Sequence, residues 1–326
     1  MSSNPLQIVD ITNPIEKSSK ELLNALTTQG FVFIEGHNFT QNEVDKIFEL
    51  SKEFFELPYD YKSKFSKTNN SNSGYIHFDR ENLDPNNKKD FKEGLNLSEI
   101  NFKTGIPSGP IPDWIINDPD RIEFIPKIII KLNELALQLL RILAVGLKIE
   151  DLNNTEGKEW FTSRYKSTSK SGSTLRFLHY PKLTSTNDPI RAGAHTDYGS
   201  MTLLFQRENQ EGLEIYNNKK WEKVPFIKSF KTGDDAPPII VNIGDLLSYW
   251  TSGLLKSTIH RVKFNNESLK EDRYSIVFFS HPSDETLLEP VPSECIRDLS
   301  GRGVNKDQNY ITALQHLQKK IANTYG

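Results

Sequence analysis

The stretch from residue 175 to residue 279 constrains the fold more than any other part of the chain. It holds short runs rich in β-branched and aromatic residues, and Gly, Asn, Asp or Pro separates each run from the next. The runs cover residues 201–205, 212–216, 239–243, 258–264 and 274–279. Several short strands at close spacing predict a sandwich or barrel of β-strands rather than alternating βαβ units.

The N-terminal half carries helical signals. Ser18 and Ser19 precede an apolar pattern and predict a capped helix that ends at Gly30. Thr40 and Glu43 form a capping box, which predicts the start of a second helix. The other expected elements are a short buried strand at 31–34, loops with a few short strands at 66–120, a long amphipathic helix at 124–147 and a final amphipathic helix marked by Leu314, Leu317, Ile321 and Tyr325.

Composition excludes several classes of function. A formal net charge of −3 with 25% charged residues leaves no basic excess to neutralise phosphates, so we expect no nucleic-acid partner. No apolar run approaches the length that spans a membrane, and the N-terminus lacks the basic and apolar regions of a secretory signal. The single cysteine, Cys295, rules out an internal disulfide and fits a reducing compartment. We therefore expect a cytoplasmic protein without a membrane partner.

His195, Asp197 and His260 are candidate metal ligands. Side chains alternate along a strand, so His195 and Asp197 would point to one face while Thr196 turns away. A lone His-x-Asp also arises by chance, so this pair alone does not decide the matter. His260 lies in a later predicted strand and would complete a set of two histidines and one carboxylate. Non-haem Fe(II) oxygenases use such a set and keep the opposite coordination positions open, although the set also suits zinc.

Arg273 and Ser275 are candidate residues for binding an acid. They have the same i, i+2 relation as the first two candidate ligands and would share a face of their strand. A guanidinium beside a hydroxyl suits the distal carboxylate of a dicarboxylic acid, because both groups donate hydrogen bonds to it. Tyr180 could add a phenol donor, but a core tyrosine before Pro181 explains it equally well. An ordinary surface arginine is the competing interpretation of Arg273.

Longer segments around these residues resemble the isopenicillin N synthase-like family of 2-oxoglutarate- and Fe(II)-dependent dioxygenases. The resemblance follows the expected order along nearly the whole chain. Its segments are Gln-Gly-Phe-Val-Phe-Ile at 29–34, Lys-Glu-Phe-Phe-Glu-Leu-Pro at 52–58, Arg-Ala-Gly-Ala-His-Thr-Asp-Tyr-Gly-Ser-Met-Thr-Leu-Leu at 191–204, Val-Asn-Ile-Gly-Asp-Leu-Leu at 241–247, Trp-Thr-Ser-Gly at 250–253, Lys-Ser-Thr-Ile-His-Arg-Val at 256–262 and Asn-Thr-Tyr at 323–325.

The resemblance implies a mixed α and β fold with a double-stranded β-helix (a jelly roll, cupin-like) as its core and flanking α-helices. The Fe(II) ligands that it implies are His195, Asp197 and His260. It also implies that Arg273 and Ser275 hold the C5 carboxylate of 2-oxoglutarate, with Tyr180 as a further contact. Such enzymes consume O₂ and 2-oxoglutarate, release succinate and CO₂, and oxidise (most simply hydroxylate) a small organic substrate.

We expect a single compact domain over residues 1–326. Its parts would be an N-terminal dioxygenase region at 1–120, a long helix at 121–150, a jelly-roll core for Fe(II) and 2-oxoglutarate at 170–285 and a C-terminal helix at 305–326.

Leu178 departs from the family, because many plant members have Asn at this position. Tyr75, which follows Gly74, is a weaker candidate for lining the substrate entrance. Phe177, Phe205 and Phe278 would either form an aromatic wall of the pocket or pack in the core.

Three other functions fit parts of the pattern. One is an iron oxidase of the same family that does not consume 2-oxoglutarate, because such relatives can retain Arg273 and Ser275 for another carboxylate. Another is a non-catalytic ligand-binding protein on the same scaffold, and the complete ligand set argues against it. A zinc hydrolase would leave Arg273 without a role. The sequence leaves the identity of the substrate and the oligomeric state open.

Overall fold

The computed structural model describes residues 4–68, 71–78, 80–81, 83, 90–182, 189–231, 233, 235–264, 271–296 and 309–325. Its strands are β1 (Ile8–Asp10), β2 (Phe31–Glu35), β3 (Gly74–Ile76), β4 (Glu93–Ser98), β5 (Ile100–Asn101), β6 (Ile106–Pro107), β7 (Thr174–Tyr180), β8 (Ile190–His195), β9 (Met201–Phe205), β10 (Leu213–Asn217), β11 (Lys220–Lys223), β12 (Ile239–Ile243), β13 (His260–Lys263) and β14 (Arg273–Ser280). Its α-helices are α1 (Ile15–Thr28), α2 (Gln41–Glu56), α3 (Tyr59–Ser63), α4 (Asp113–Ile116), α5 (Pro119–Gly146), α6 (Asp245–Trp250) and α7 (Ala313–Tyr325).

Two β-sheets face each other and form a jelly-roll core. The larger sheet has the strand order β1-β2-β12-β9-β14-β7-β4-β3, and the smaller has the order β11-β10-β13-β8. Apolar side chains of the two sheets share buried clusters: Phe33 of β2 lies with Ile215 of β10, and Tyr180 of β7 lies with Val262 of β13. The space between the sheets is therefore lined by strand residues from both sides.

Helices cover the outer face of the larger sheet. On β2, Phe31 and Phe33 face the smaller sheet, whereas Val32 and Ile34 join the main apolar core that includes the helices. The long helix α5 contributes Leu139, which is fully buried in the same core. Because the central strands are buried on both faces, they are almost continuously apolar rather than alternating.

Several sequence predictions about local structure are confirmed. All the predicted runs between residues 201 and 279 are strands, with small changes at their ends. The capping box is present, because the Glu43 N–H donates to Thr40 Oγ1 at 3.2 Å and the Thr40 N–H donates to Glu43 Oε2 at 3.0 Å. Residues 31–34 are a fully buried part of β2. Such local patterns were sufficient to locate these elements.

Other local predictions were wrong. Ser18 and Ser19 do not cap α1, which begins at Ile15 after Pro14. The long helix α5 begins earlier than predicted, because the Asp118 side chain accepts from the Arg121 N–H and caps it. The region 66–120 does contain a few short strands, as predicted, and one of them, β4, is buried along its whole length.

The final helix is present, but its apolar residues do not all face the protein. Leu314 and Ile321 are exposed, whereas Ala313 and His316 are buried. The connection between β13 and β14 includes residues 265–270, which lie outside the described residues. Among the helices that the structure describes, none combines the length and the apolar character needed to cross a bilayer.

Candidate metal centre and co-substrate pocket

The three predicted metal ligands meet at one end of the jelly roll. His195 of β8 is paired with His260 of β13 in the smaller sheet. Asp197 Oδ1 lies 3.9 Å from His195 Nε2 and 3.7 Å from His260 Nε2. One ligand atom from each residue therefore falls within 4.8 Å of the others. This spacing leaves room for one ion bound by all three atoms.

Both imidazoles present the same nitrogen to this centre. His195 Nδ1 donates to the Gly193 carbonyl at 2.7 Å, and His260 Nδ1 donates to the Thr258 carbonyl at 3.1 Å. A carbonyl oxygen only accepts hydrogen bonds, so each Nδ1 carries a proton, and in this tautomer of the neutral ring Nε2 keeps its lone pair. Burial lowers the pKa of His195 to about 3, and the imidazole is therefore neutral.

The Asp197 carboxylate is held by its other oxygen. Its Oδ2 accepts from the Thr202 hydroxyl at 2.6 Å and from the Asn242 amide at 2.8 Å, which leaves Oδ1 facing the histidines. Burial acts to raise the pKa of Asp197, but His260, His195 and these two donors outweigh it and lower the pKa below its ordinary value. Two imidazole Nε2 atoms and one anionic carboxylate fit a divalent metal such as Fe(II).

The chain path at Asp197 differs from the prediction. β8 ends at His195, so Asp197 lies in the loop that follows and not on the strand. Thr196 does turn away, because its hydroxyl donates to Asp245 Oδ2 at 3.0 Å. Strand alternation thus predicted the directions of the side chains correctly, but loop contacts produce the convergence.

Arg273, Ser275 and Tyr180 lie together deeper between the sheets. Arg273 Nη1 donates to Ser275 Oγ at 2.6 Å, and Tyr180 is the partner of Arg273 in the pairing of β7 with β14. All three residues are buried. The interpretation of Arg273 as a surface arginine is wrong, and Tyr180 lies beside the guanidinium rather than in a separate part of the core.

Arg273 is a buried cation that its surroundings do not neutralise. Its Nε donates to the Gln210 carbonyl at 2.8 Å. No carboxylate among the residues that the structure describes forms an ion pair with it. Burial lowers the pKa of Arg273 below its ordinary value, because the charged form loses hydration. An anionic ligand bound here would supply the missing charge.

Apolar side chains lie between the Arg273 group and the metal ligands. Val262 is two residues after His260, and Val277 is two residues after Ser275 on the same faces of their strands. They form one buried cluster with Leu178, Tyr180, Ala192 and Phe264. An apolar space with a cation at one end and a metal centre at the other suits the methylene chain of a dicarboxylic acid.

The other aromatic candidates belong to the core. Phe177, Phe205 and Phe278 lie in the main apolar cluster, on the outer face of the larger sheet. Tyr75 is also buried there, and its hydroxyl donates to Glu93. The prediction that Tyr75 lies near the substrate entrance was therefore wrong.

Sequence reasoning missed the residues that hold the ligands. Thr202 and Asn242 bind the Asp197 carboxylate, and Asp245 accepts from Thr196. Asn242 and Asp245 lie inside the segment Val-Asn-Ile-Gly-Asp that carried part of the family resemblance. The single polar residue of an otherwise apolar β12, Asn242, was the available signal, because a buried amide requires a partner.

A jelly roll with this ligand set and a buried arginine–serine pair defines the class of 2-oxo-acid-dependent non-haem iron oxygenases. Two family models match the chain. The model described as non-haem dioxygenase in morphine synthesis N-terminal matches residues 6–108. The model of the 2OG-Fe(II) oxygenase superfamily matches residues 171–282.

Relatives and solved structures agree with these matches. The UPF0676 protein C1494.01 of Schizosaccharomyces pombe is 31% identical over 100% of this chain and 94% of its own length. The 2-oxoglutarate-dependent dioxygenase htyE of Aspergillus rugulosus is 28% identical over 94% of this chain and 93% of its own. The crystal structure of a full-length Neurospora crassa protein in complex with alpha-KG has a TM-score of 0.78 and 25% identity, covering 97% of this chain and 95% of that one.

The chain belongs to the 2OG-Fe(II) oxygenase superfamily. It is a 2-oxoglutarate-dependent non-haem iron dioxygenase, and its cofactor and co-substrates are Fe(II), 2-oxoglutarate and O₂. It oxidises a small organic substrate with release of succinate and CO₂. These findings confirm the family and the jelly-roll core that the resemblance implied.

Proposed function

We propose that His195, Asp197 and His260 bind the Fe(II) of this dioxygenase and that the enzyme hydroxylates a small polar molecule. The convergence of two Nε2 atoms and Asp197 Oδ1 within 4.8 Å carries the assignment of the ligands. The hydrogen bonds donated by each Nδ1 and those accepted by Asp197 Oδ2 support it, because they orient the ligand atoms before any ion binds.

Arg273 and Ser275 bind the C5 carboxylate of 2-oxoglutarate in this proposal, and Tyr180 is a further donor. The support is the buried guanidinium without an ion-pair partner in the described part of the chain. The apolar cluster around Val262 and Val277 then surrounds the two methylene groups and excludes water from them.

Bound Fe(II) would bind and activate O₂, and 2-oxoglutarate would supply two of the four electrons that reduce it, while the substrate C–H bond supplies the other two. The residues of this chain perform the remaining tasks. Arg273 fixes one end of the co-substrate, and the ligand set fixes the position of the ion. Asp197 stays anionic and His195 stays neutral, so bound Fe(II) would keep a net positive charge that attracts the acidic end of the co-substrate.

The substrate side of the site has polar and aromatic groups. Phe279 lies opposite Thr202, which bonds to Asp197, and Arg176 lies opposite Asn96 on the neighbouring strands. The carboxamide oxygen of Asn96 is buried without a hydrogen-bond partner in the described structure. A substrate with N–H groups would satisfy this acceptor.

The ligands and names of relatives support the same class of substrate. A second structure of the full-length Neurospora crassa protein contains thymine with alpha-KG. A relative from Glycine max is named homoarginine-6-hydroxylase. Both thymine and homoarginine carry N–H groups, so a substrate panel for this enzyme should include pyrimidine bases and basic amino acids.

An anaerobic titration tests the assignment of the co-substrate site. Fe(II) and then 2-oxoglutarate are added to the metal-free protein, and the weak visible charge-transfer band of the chelate is recorded. We expect a saturable band in the wild type and in Arg207→Ala, and a large loss of 2-oxoglutarate affinity in Arg273→Ala. Equal affinity in the two variants would contradict the role of Arg273. Succinate release with the substrate panel then tests hydroxylation.

We also propose that the protein works in the cytoplasm. Cys295 is exposed and unpaired, which fits a reducing compartment. Fractionation of cells that express the tagged protein tests this location, and recovery of the protein in a membrane-enclosed compartment would contradict it.

A further inference from the structure

The loop that carries Asp197 is not held by sheet pairing. β8 ends at His195, and the next strand, β9, begins at Met201. A metal ligand on a loop is held in a useful geometry only if other contacts restrict the loop. The contacts of residues 196–200 therefore determine how well the site is formed before a metal binds.

The start of α6 supplies the backbone contacts. The Asp245 N–H donates to the Asp197 carbonyl at 2.7 Å, and the Gly244 N–H donates to the Ser200 carbonyl at 2.9 Å. The Leu246 N–H lies within 3.2 Å of the Tyr198 carbonyl and 3.1 Å of the Gly199 carbonyl. These bonds hold the main chain of the loop, but they do not reach the segment that carries His260.

The Asp245 carboxylate connects the two ligand segments. Its Oδ2 accepts from the hydroxyl of Thr196, which lies between the first two ligands, at 3.0 Å. Its Oδ1 accepts from the hydroxyl of Ser257, three residues before His260, at 2.6 Å. The Asp245 side chain thus connects the loop that carries Asp197 to the segment that immediately precedes β13.

The C-terminal helix reaches the same carboxylate. Lys320 of α7 places Nζ 2.6 Å from Asp245 Oδ2. α7 also packs on α6, with the rings of His316 and Tyr249 5.5 Å apart. The lysine limits the rotation of the carboxylate, because a charge-assisted hydrogen bond is short and directional.

We propose that Asp245 is a positioning residue for the metal centre and that Lys320 makes the affinity for metal depend on the C-terminal helix. The inference rests on the proposed ligand assignment of His195, Asp197 and His260. Asp245 touches neither metal nor substrate. It acts by holding Thr196 and Ser257. The ligands are therefore ordered when the protein folds, and metal binding does not have to supply the free energy of ordering them.

Co(II) binding tests the proposal without turnover. Metal-free full-length variants are titrated with Co(II), and their thermal unfolding is measured separately. We expect Asp245→Asn to weaken Co(II) binding about tenfold. Lys320→Met should weaken it about two- to fivefold, because this ion pair is partly exposed. Lys319→Met, a change of the exposed neighbour on α7, should leave the affinity unchanged.

The double variant distinguishes a connected path from two separate effects. Because the lysine acts through the carboxylate, Asp245→Asn with Lys320→Met should bind Co(II) no more weakly than Asp245→Asn alone. Equal affinity in Lys320→Met and Lys319→Met would overturn the role of the C-terminal helix. Wild-type affinity in folded Asp245→Asn would overturn the whole inference.

The proposed function can fail separately from this inference. A wild-type protein that does not bind Co(II) would contradict the ligand assignment, and both proposals would fall. Normal wild-type binding with no effect of any of these changes would contradict the positioning role alone. If Asp245→Asn does not fold, Lys320→Met still provides the test, because this side chain is 38% exposed and lies outside the core.

Discussion

Tyr180 and Arg273 lie directly opposite each other on β7 and β14, and the guanidinium carbon lies 5.0 Å from the centroid of the tyrosine ring. The ring therefore covers one face of a buried cation. Ser275 accepts from the same guanidinium. These neighbours fix the orientation of the guanidinium and therefore of its other N–H groups, so the geometry of the acid site is set before the co-substrate binds.

Replacing Tyr180 with Phe should separate the contribution of the aromatic ring from that of the hydroxyl. We expect the half-saturating concentration of 2-oxoglutarate to rise about tenfold, because a hydrogen bond to a charged group is lost. The ring remains, so thermal stability should change little. Tyr274→Phe is the matched control, since Tyr274 is the next residue to Arg273 but lies in the main core. Equal 2-oxoglutarate requirements in the two variants would remove Tyr180 from the site.

Replacing Thr202 with Val should loosen Asp197 without changing the ligand set. The substitution is nearly isosteric and removes the hydroxyl that donates to Asp197 Oδ2. We expect anaerobic Fe(II) binding to weaken about tenfold. Thr27→Val is a control, because that hydroxyl bonds only to helix carbonyls. Unchanged Fe(II) binding in Thr202→Val would mean that Asn242 alone orients the carboxylate.

Replacing His260 with Ala should abolish turnover. The change removes one of three ligand atoms and leaves Asp197 and His195 in place. Succinate release in the presence of substrate measures the effect. His77→Ala serves as the control, because this histidine contacts Ser66 and Tyr75 away from the triad. Near-normal succinate release by His260→Ala would exclude His260 as a ligand.

Mild acid should destabilise the protein through His37. Burial lowers the pKa of His37 from 6.5 to about 4. Its Nε2 donates to the Pro237 carbonyl, and its Nδ1 accepts from the Phe39 N–H, so both nitrogens are used by the neutral ring. A proton then binds the unfolded chain more readily, and stability falls as the pH drops from 6.5 toward 4, by on the order of 3 kcal/mol.

Denaturant titrations at several pH values test the role of His37. The His37→Asn variant keeps an acceptor for the Phe39 N–H but does not titrate, so its stability should depend less on pH across this interval. The same slope in variant and wild type would assign the pH dependence to other buried histidines, among them His281 and His316, whose pKa values burial also lowers to about 4.

Sequence patterns predicted the helix starts that depend only on residues a few positions apart. Thr40 and Glu43 are three residues apart and satisfy each other, so their role was visible in the sequence. Ser18 misled because a serine inside a helix can bond to a carbonyl one turn earlier, as its hydroxyl does with Pro14. Nothing local distinguishes these two uses of a serine near a helix start.

Strand alternation and the family motifs predicted only those site residues that lie close together in the sequence. Arg273 and Ser275 share a face because they are two residues apart on β14, and this relation needs no tertiary information. Asp245 and Lys320 meet through the packing of α7 on α6. A contact between residues so far apart in the chain depends on the assembled fold, so neither residue could be assigned from the sequence.

The acid anchor and the metal ligands belong to one hydrogen-bonded framework, and this has a consequence for the choice of co-substrate. Ser275 lies four residues before Phe279, whose partner on β9 is Thr202 beside Asp197. At a rise of about 3.4 Å per residue, the two levels are about 14 Å apart along the strand. The β-strands therefore fix the backbone positions of the acid anchor and the metal ligands relative to each other, and the side chains between these two levels determine which oxo acid fits. A change in the spacing between the acid anchor and the metal ligands would need a one-residue shift of register, which turns every side chain of a strand to its other face.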